Sequence, residues 1–258
     1  MSLIDTQVTN EMVIPRIETD IFVGHEAARF AVGILAVENE VVANRHEEYL
    51  GYLRLRANVY ADQTNIIPKE QVLADGTERD KDDIRSVHFA VIENLGNSQR
   101  VIAAMRLIVK SQKDSRPLPI EGYFPEVFEG AAASEKSIEV SRYICRHEDP
   151  RIQGRLKWPL YKLGLSYAMV NDLGPTYAII ETPLERQLGM AGVSTHRIAE
   201  AKFIEDYNSS NMAVEIDTNK LANAMNLSKE AVVNQALAAK DQMIYFDTQD
   251  EQSGLAVA

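Results

Sequence analysis

Cysteine is almost absent from this chain. Cys145 is the single one among 258 residues, which excludes intrachain disulfides and any zinc cluster built on cysteine. Long apolar runs are missing too: none is long enough to span a bilayer, and the opening MSLIDTQVTNEMVIPRIETD is too polar for a secretory signal. A cytoplasmic protein with no membrane span is expected. Basic charge is scarce overall, with a formal net charge of −11, which argues against general affinity for nucleic acid. There is no Walker loop, no G-x-G-x-x-G, no G-x-S-x-G and no H-E-x-x-H. The five histidines are scattered without metal-ligand spacing, so no metal is expected. Internal repeats and low-complexity blocks are also lacking.

What remains is ordinary globular composition, 45% hydrophobic and 25% charged, enough for one large domain. The charge is uneven. Between Lys136 and Lys162 seven basic residues face three acidic ones, whereas from Glu205 onward nine acids face three lysines. The middle of the chain suits an anionic partner, or is a solvated face. Periodicity predicts helix over Glu26–Gln63, a polar loop over 64–84 and a strand hairpin of 86–94 and 101–110 turned by LGNSQR. SQKDSRPLPIEG then reads as a loop, 137–145 as a strand and 153–171 as a helix stopped by DLGP. TYAIIET reads as a strand, PLERQLGMAG as a helix, AEAKFIED and NMAVEID as strands, and 218–240 as helical. This order describes a mixed α/β domain over 26–217, with an arm at 1–25 and a helical extension at 218–258.

Three arginines fall where apolar side chains belong. In the strand IEVSRYICR, regular alternation puts Ile138, Val140, Arg142 and Ile144 on one face and Glu139, Ser141, Tyr143 and Cys145 on the other. Arg106 sits among Ile102, Ala104 and Ile108 on VIAAMRLIVK. Arg56 continues the stripe Tyr49, Tyr52, Leu53 on the first helix. A guanidinium cannot shed its charge, so burial demands carboxylates or a ligand. The loop TERDKDD supplies them in an E-x-D-x-x-D pattern, Glu78, Asp80 and Asp83, with Asp82 beside them. The alternative is three snorkelling arginines and a solvated acidic loop. An EF-hand is excluded by spacing and by the absence of its Gly and terminal Glu.

With these residues in hand, the chain resembles the acyl-homoserine-lactone synthases, an acyltransferase family of GNAT fold. The matching pieces run in order: Arg56-Ala-Asn-Val59-Tyr60, Glu78-x-Asp80-x-x-Asp83, Arg106-Leu107-Ile108, Glu139-Val-Ser141-Arg142-Tyr143, and Glu185-Arg186 through Gly192. The family's usual tryptophan after the first segment is absent, since this stretch reads ADQTNIIP and the sole tryptophan is Trp158. The resemblance implies a GNAT-like mixed twisted sheet flanked by helices, with a bulged central strand. It implies that the amine of S-adenosylmethionine attacks a thioester of an acyl carrier protein or coenzyme A, with no tightly bound cofactor.

By carry-over, Glu139 is the proton acceptor and Arg142 its catalytic neighbour, while Arg56, Glu78, Asp80, Asp83 and Arg106 bind substrate. Arg151-Ile-Gln153-Gly154-Arg155 resembles the superfamily turn whose amides receive phosphopantetheine or pyrophosphate. Glu139 and Arg142 lie three apart, on opposite faces of a regular strand, so a β-bulge near Val140–Tyr143 is expected to unite them. Basic Arg146, Arg151, Arg155 and Lys157 suit an acidic carrier protein. The runner-up is an N-acyl amino acid synthase with another amine acceptor. A non-catalytic GNAT-like protein is a further alternative, and TNKLANAMNLSKEAVVNQALA (218–238) has the cadence of a helix-turn-helix, though it carries no arginine. His88 reads as a satisfied strand residue and Cys145 as a buried small hydrophobe rather than a nucleophile.

Overall fold

The computed structural model describes residues 29–128, 136–190, 193–218, 220 and 243–246. The arm at 1–25, the helix-turn-helix-like segment and the end of the chain lie outside the described residues.

The first departure from expectation comes at once. Phe30–Val37 is a strand, β1, hairpinned to β2 (Glu40–Val41), and not the start of a helix. FAVGILAV is a continuous apolar run whose period fits helix or strand equally. Its burial decides: Phe30, Val32 and Ile34 enter one core cluster, while Leu35 and Ala36 enter another on the opposite face of the sheet. A strand covered on both sides reads as unbroken apolar sequence.

The predicted helix begins instead at His46. α1 (His46–Ala57) carries Glu47 and Glu48 in its first turn and Arg54 and Arg56 in its last, the arrangement that complements the helix dipole. It passes into a wider π-type turn at Asn58–Gln63. β3 (Ser86–Asn94) and β4 (Gln99–Lys110) form the expected hairpin, with Gly96 at φ +71° in the turn. The proline loop hides two short helices, α2 (Pro119–Tyr123) and α3 (Pro125–Phe128). β5 (Ser137–Cys145) leads to α4 (Pro150–Val170), then β6 (Thr176–Glu181), α5 (Thr182–Met190), β7 (Thr195–Ile204) and β8 (Ser209–Ile216). Gly174, at φ +76°, ends the α4 turn so close to Lys136 O that a Cβ there would lie 2.2 Å from it. No described helix is long and apolar enough to cross a membrane.

The nine strands among the described residues form one sheet, eight of them in the order β2-β1-β3-β4-β5-β6-β8-β7. β9 (Ile244–Phe246), from the C-terminal segment, pairs with β1 and so returns to the main sheet. β5 and β6 run parallel, and the other pairings are antiparallel. α1 and α2 pack on one face of the sheet, α4 and α5 on the other.

The central strand is irregular where a bulge is expected. Ser141 pairs with Arg106 and Ile144 with Ala104, so Arg142 and Tyr143 together oppose the single residue Met105. Arg142 takes φ +50°, a left-handed conformation that costs a non-glycine residue about 1–2 kcal/mol. The extra residue resets the alternation. Ile138, Val140, Tyr143 and Cys145 pack with the α4-side cluster, while Ile144 packs with α1. Arg142 and Ile144 therefore share the face of Glu139 and Ser141, not that of Ile138 and Val140. The regular-strand face assignment fails beyond Ser141 because one residue is inserted there.

If the backbone at Arg142 is strained, Arg142→Gly should be more stable than Arg142→Ala by about 1 kcal/mol, although both delete the guanidinium. Urea unfolding of the two variants measures this, and equal midpoints would show that the bulge carries no such strain.

Candidate active site

The three misplaced arginines meet the three predicted acids. Arg56, fully buried on α1, bonds Glu78 through Nε, and its Nη1 and Nη2 reach Asp83 Oδ1 and Oδ2 at 2.7 and 3.2 Å. Arg106 Nη1 donates to Asp80 Oδ1 and Asp83 Oδ1, both at 2.7 Å, and its Nε donates to Ser141 Oγ at 2.9 Å. Arg142 Nη2 donates to Glu78 Oε1 at 3.0 Å and Asp80 Oδ2 at 2.9 Å. Each carboxylate bridges two guanidinium groups, and the cluster is formally neutral. Burial alone would raise Asp83, but Arg56 and Arg106 beside it hold its carboxyl far below the ordinary range. Burial would raise Asp80 as well, but Arg106 and then Arg142 draw it below the ordinary value.

The surrounding side chains lock this network. His88 is fully buried, with Nδ1 3.0 Å from Tyr52 Oη and Nε2 3.2 Å from Asp83 O, and burial pushes its imidazole down to about 4. It is a neutral, satisfied strand residue. Tyr60, on the π-type turn, stacks under the Arg142 guanidinium at 5.2 Å and donates to Tyr143 O at 3.3 Å, pinning the bulge. Turns of this type often mark functional positions.

β5 and β6 pair only over Ile138–Val140 against Thr176–Ala178. Beyond that, β5 stays with β4 and β6 with β8, so the two strands part and leave a wedge in the sheet. A cavity of about 230 Å³ occupies it. Glu139, Ser141, Arg142, Tyr207, Ser209 and Asn211 give it a polar end. Met105, Leu107, Leu165, Ala178, Leu188 and Val193 give it an apolar one beneath α4 and α5. Two buried polar atoms in its wall, Arg142 Nε and Thr176 Oγ1, have no hydrogen-bond partner among the described residues.

Glu139 is 2% exposed and Oε2 accepts the Ile120 N–H at 2.8 Å. Burial pushes its carboxyl up to about 8, and the Ile120 N–H, Arg106 and Arg85 only partly offset this, while Asp82 adds to it. An α-ammonium group titrates at about 7.7–8.0, so proton transfer between the two is close to balanced. Cys145 differs: its thiol is pushed up to about 11 by burial and lies 3.3 Å from Tyr143 Oη, which does not suit a nucleophile.

The Arg151–Arg155 segment is a capped helix start rather than an open cradle of amides. Pro150 has no N–H, Asp149 Oδ1 accepts from Arg151 N at 2.8 Å, and the Asp149 carbonyl takes the Gln153 N–H. Gln153 Oε1 in turn accepts from His147 N at 3.2 Å. Gly154 is exposed and Arg155 half-buried. Two amides of the expected phosphate site, those of Arg151 and Gln153, are thus bonded to Asp149. Glu185 receives Arg197 Nη2 at 2.7 Å on α5, and Arg186 is exposed.

Sequence reasoning missed Tyr207, Ser209 and Asn211, which reach the cavity from beyond the sheet crossover, and the Ile120 amide that holds Glu139. YNSSN carries no motif, and a backbone donor leaves no compositional signal. Tyr60 stood out only as the end of the Arg56–Tyr60 segment.

A mixed sheet split between two parallel central strands is the GNAT-like fold. The autoinducer synthase family profile matches residues 39–225, and the chain belongs to that family. It is an acyltransferase of the acyl-homoserine lactone synthase type. Among solved structures, the CoA-dependent acyl-homoserine lactone synthase BjaI, solved with MTA, is 18% identical with a TM-score of 0.58, covering 81% of this chain and 99% of its own. TofI, in a ternary complex with an inhibitor and MTA, is 18% identical at TM-score 0.58, covering 79% and 99%. The AHL synthase LasI is 17% identical at TM-score 0.54, covering 74% and 91%. At these identities the likeness is one of fold. Comparison with curated protein sequences gives no match.

Removing Arg56 strands two buried carboxylates, so Arg56→Ala should destabilise the fold by about 3–5 kcal/mol in chemical denaturation. Glu139→Gln should act in the opposite sense. Its folded pKa, about 8, exceeds the ordinary 4.5, so the native state holds a proton that the unfolded chain has shed between those values. Stability falls as pH rises across that window. At pH 8 Glu139→Gln should raise Tm by at least about 2 °C. It should also lower kcat/KM at least about 100-fold. A variant with a lowered Tm would show that the carboxyl is not strained by burial.

Proposed function

We propose that this protein acylates the α-amino group of S-adenosylmethionine from an acyl thioester and then closes the acyl-homoserine lactone with release of methylthioadenosine. The observation that carries this reading is the wedge. Its polar end sets Glu139 and Arg142 together, and its apolar end accepts a hydrocarbon chain. The amine approaches from the Glu139 face, and the thioester enters from the α4 face, so the two reacting atoms meet between β5 and β6. Ground-state positioning of this kind supplies much of the rate enhancement of a bimolecular reaction.

Glu139 takes a proton from the ammonium and frees the nitrogen lone pair to attack the thioester carbonyl. Arg142, anchored by Glu78 and Asp80, lines the cavity, where its guanidinium suits the substrate carboxylate or the carbonyl oxygen. Arg56, Arg106, Glu78 and Asp83 are bonded mainly to one another, so their part is to hold Arg142 and the loop rather than to touch substrate. Asp80, a quarter exposed, is the network's outward carboxylate and suits a cationic substrate group.

BjaI has been solved with SAM and isopentyl-CoA, which favours these two substrate classes for this chain. We assign the donor's phosphates to the side chains of Arg146, Arg151, Arg155 and Lys157 beside the start of α4. The same charges suit an acidic acyl carrier protein. Both substrates are cytoplasmic metabolites, so the reaction belongs in the cytoplasm.

Mass spectrometry after incubation with S-adenosylmethionine and a panel of acyl-coenzymes A and acyl carrier proteins tests the reading. Acyl-homoserine lactone with stoichiometric methylthioadenosine is expected, and acylated amino acids without methylthioadenosine would overturn the acceptor. The panel also tests the chain pocket. A Cβ on Gly164 would lie 2.3 Å from Met105 Cε, so Gly164→Ala must push that methyl group aside within the cavity wall. The variant should lose roughly tenfold or more in kcat/KM for the longest chain accepted and keep the shorter ones.

A further inference from the structure

Behind Glu139 lies a second set of buried charges, separate from the arginines around Asp83. In RPLPI (116–120) the two prolines carry no N–H, so from Pro117 to Ile120 only Leu118 and Ile120 offer an amide. Each is aimed at a carboxylate. Ile120 N donates to Glu139 Oε2 at 2.8 Å, and Leu118 N donates to Glu121 Oε2 at 2.7 Å.

The segment is gripped from two sides. Lys110 Nζ, on β4, donates to Glu121 Oε1 and Oε2 at 2.8 and 3.0 Å. Arg85, at the end of the tight turn Asp83–Arg85, donates through Nη1 to Arg116 O at 2.7 Å and through Nη2 to Pro117 O at 2.8 Å. Its Nε and Nη2 also reach Asp82 Oδ1, at 2.9 and 2.6 Å. Arg85, Asp82 and Lys110 are buried, and neither they nor Glu121 line the cavity. Two buried ion pairs stabilise little compared with apolar side chains of the same shape. Leu118, Ile120 and Phe124 already pack with Ile108 and hold α2 to the sheet. Apolar packing is non-directional, however, and does not aim an amide.

We propose that Arg85, Lys110 and Glu121 are positioning residues for the acyl transfer: they fix segment 116–121 so that the Ile120 N–H holds Glu139 Oε2 and leaves Oε1 to take the substrate proton. The proposal rests on Glu139 as the base. A hydrogen bond to a carboxylate oxygen favours the charged form, and here it works against burial, the dominant influence on Glu139. Arg106 on β4 and Arg85 also favour the charged form, whereas Asp82 opposes it. The phenols of Tyr123, at the end of α2, and Tyr207, in the turn before β8, lie within its field.

The test is the pH profile of kcat/KM for amide formation in the full-length enzyme, each variant being assayed below its own Tm. Glu121→Ala and Glu121→Gln remove the same charge, but only glutamine keeps a carbonyl oxygen for the Leu118 N–H and for Lys110. Glu121→Ala should move the acid limb about one pH unit above that of Glu121→Gln. Below the limb this is about a tenfold loss, which disappears above it. A loosened fold would instead lower the rate at every pH, and loss of charge alone would move both variants together. Arg85→Lys keeps the charge but not the fork that holds two carbonyls, so its limb should rise too, and it decides the question if Glu121→Ala does not fold. The substrate amine titrates identically throughout, so a difference between variants belongs to the enzyme. Coincident limbs for the two Glu121 variants, or a wild-type limb for Arg85→Lys, would overturn the positioning role. Glu139→Gln separates the two levels. If it stays active with the wild-type limb, the base assignment falls and the positioning role with it. If it is inactive while the other limbs coincide, the positioning role alone is wrong.

Discussion

A guanidinium cannot discharge itself by losing a proton, and this constraint organises the molecule. Arg56, Arg106 and Arg142 are turned inward from three different elements, and each is tolerable only while carboxylates face it. Glu78, Asp80 and Asp83 meet them from a loop that has almost no apolar anchor of its own. Satisfying the charges therefore fixes the loop, ties α1 to β4, and holds β5 in the strained bulge that makes Arg142 available. The network stabilises little compared with an apolar core of equal volume, but it leaves few alternative arrangements, since removing one member exposes its partners.

The bulge then determines the chemistry. It rotates Arg142 onto the face already occupied by Glu139 and Ser141, and it lies where β5 parts from β6. Without the inserted residue, Arg142 and Glu139 would stand on opposite sides of the sheet. The wedge separates the needs of two unlike substrates: carboxylates, phenols and an amide at one end, methyl and methylene groups at the other. Glu139 illustrates the compromise. A carboxyl forced into an apolar setting destabilises the folded chain above its ordinary pKa, and the same force matches it to an amine.

Much of this was legible from residue types. Arginines on apolar stripes, an acidic loop of the right composition and an apolar strand with a charge in its middle all pointed to a polar cavity, and charge neutrality explains why that inference holds. The reading failed where the physical signal is ambiguous or silent. FAVGILAV has no period that separates a buried strand from a buried helix. SQKDSRPLPIEG conceals helices too short to show periodicity, yet one of them brings the amide that holds Glu139. The R-x-x-G segment resembles a phosphate cradle, and no local pattern showed that Pro150 lacks an N–H there and that Asp149 takes the Arg151 amide. Tyr207 and Asn211 reach the cavity through a strand crossover, and no local pattern announces that.

Sequence alone determined the inventory: which charges must be buried, which must meet, and that the order of helices and strands builds a mixed α/β sheet. The odd spacing of Glu139 and Arg142 put them on opposite faces of a regular strand, and only the family resemblance, which asks them to meet, turned that into an expected bulge. Tertiary structure decided the rest. Face assignment beyond the bulge, the parting of β5 from β6 and the burial that lifts Glu139 all depend on which segments meet across the sheet. Such meetings are set by packing between residues far apart in the chain, where local propensity carries no information.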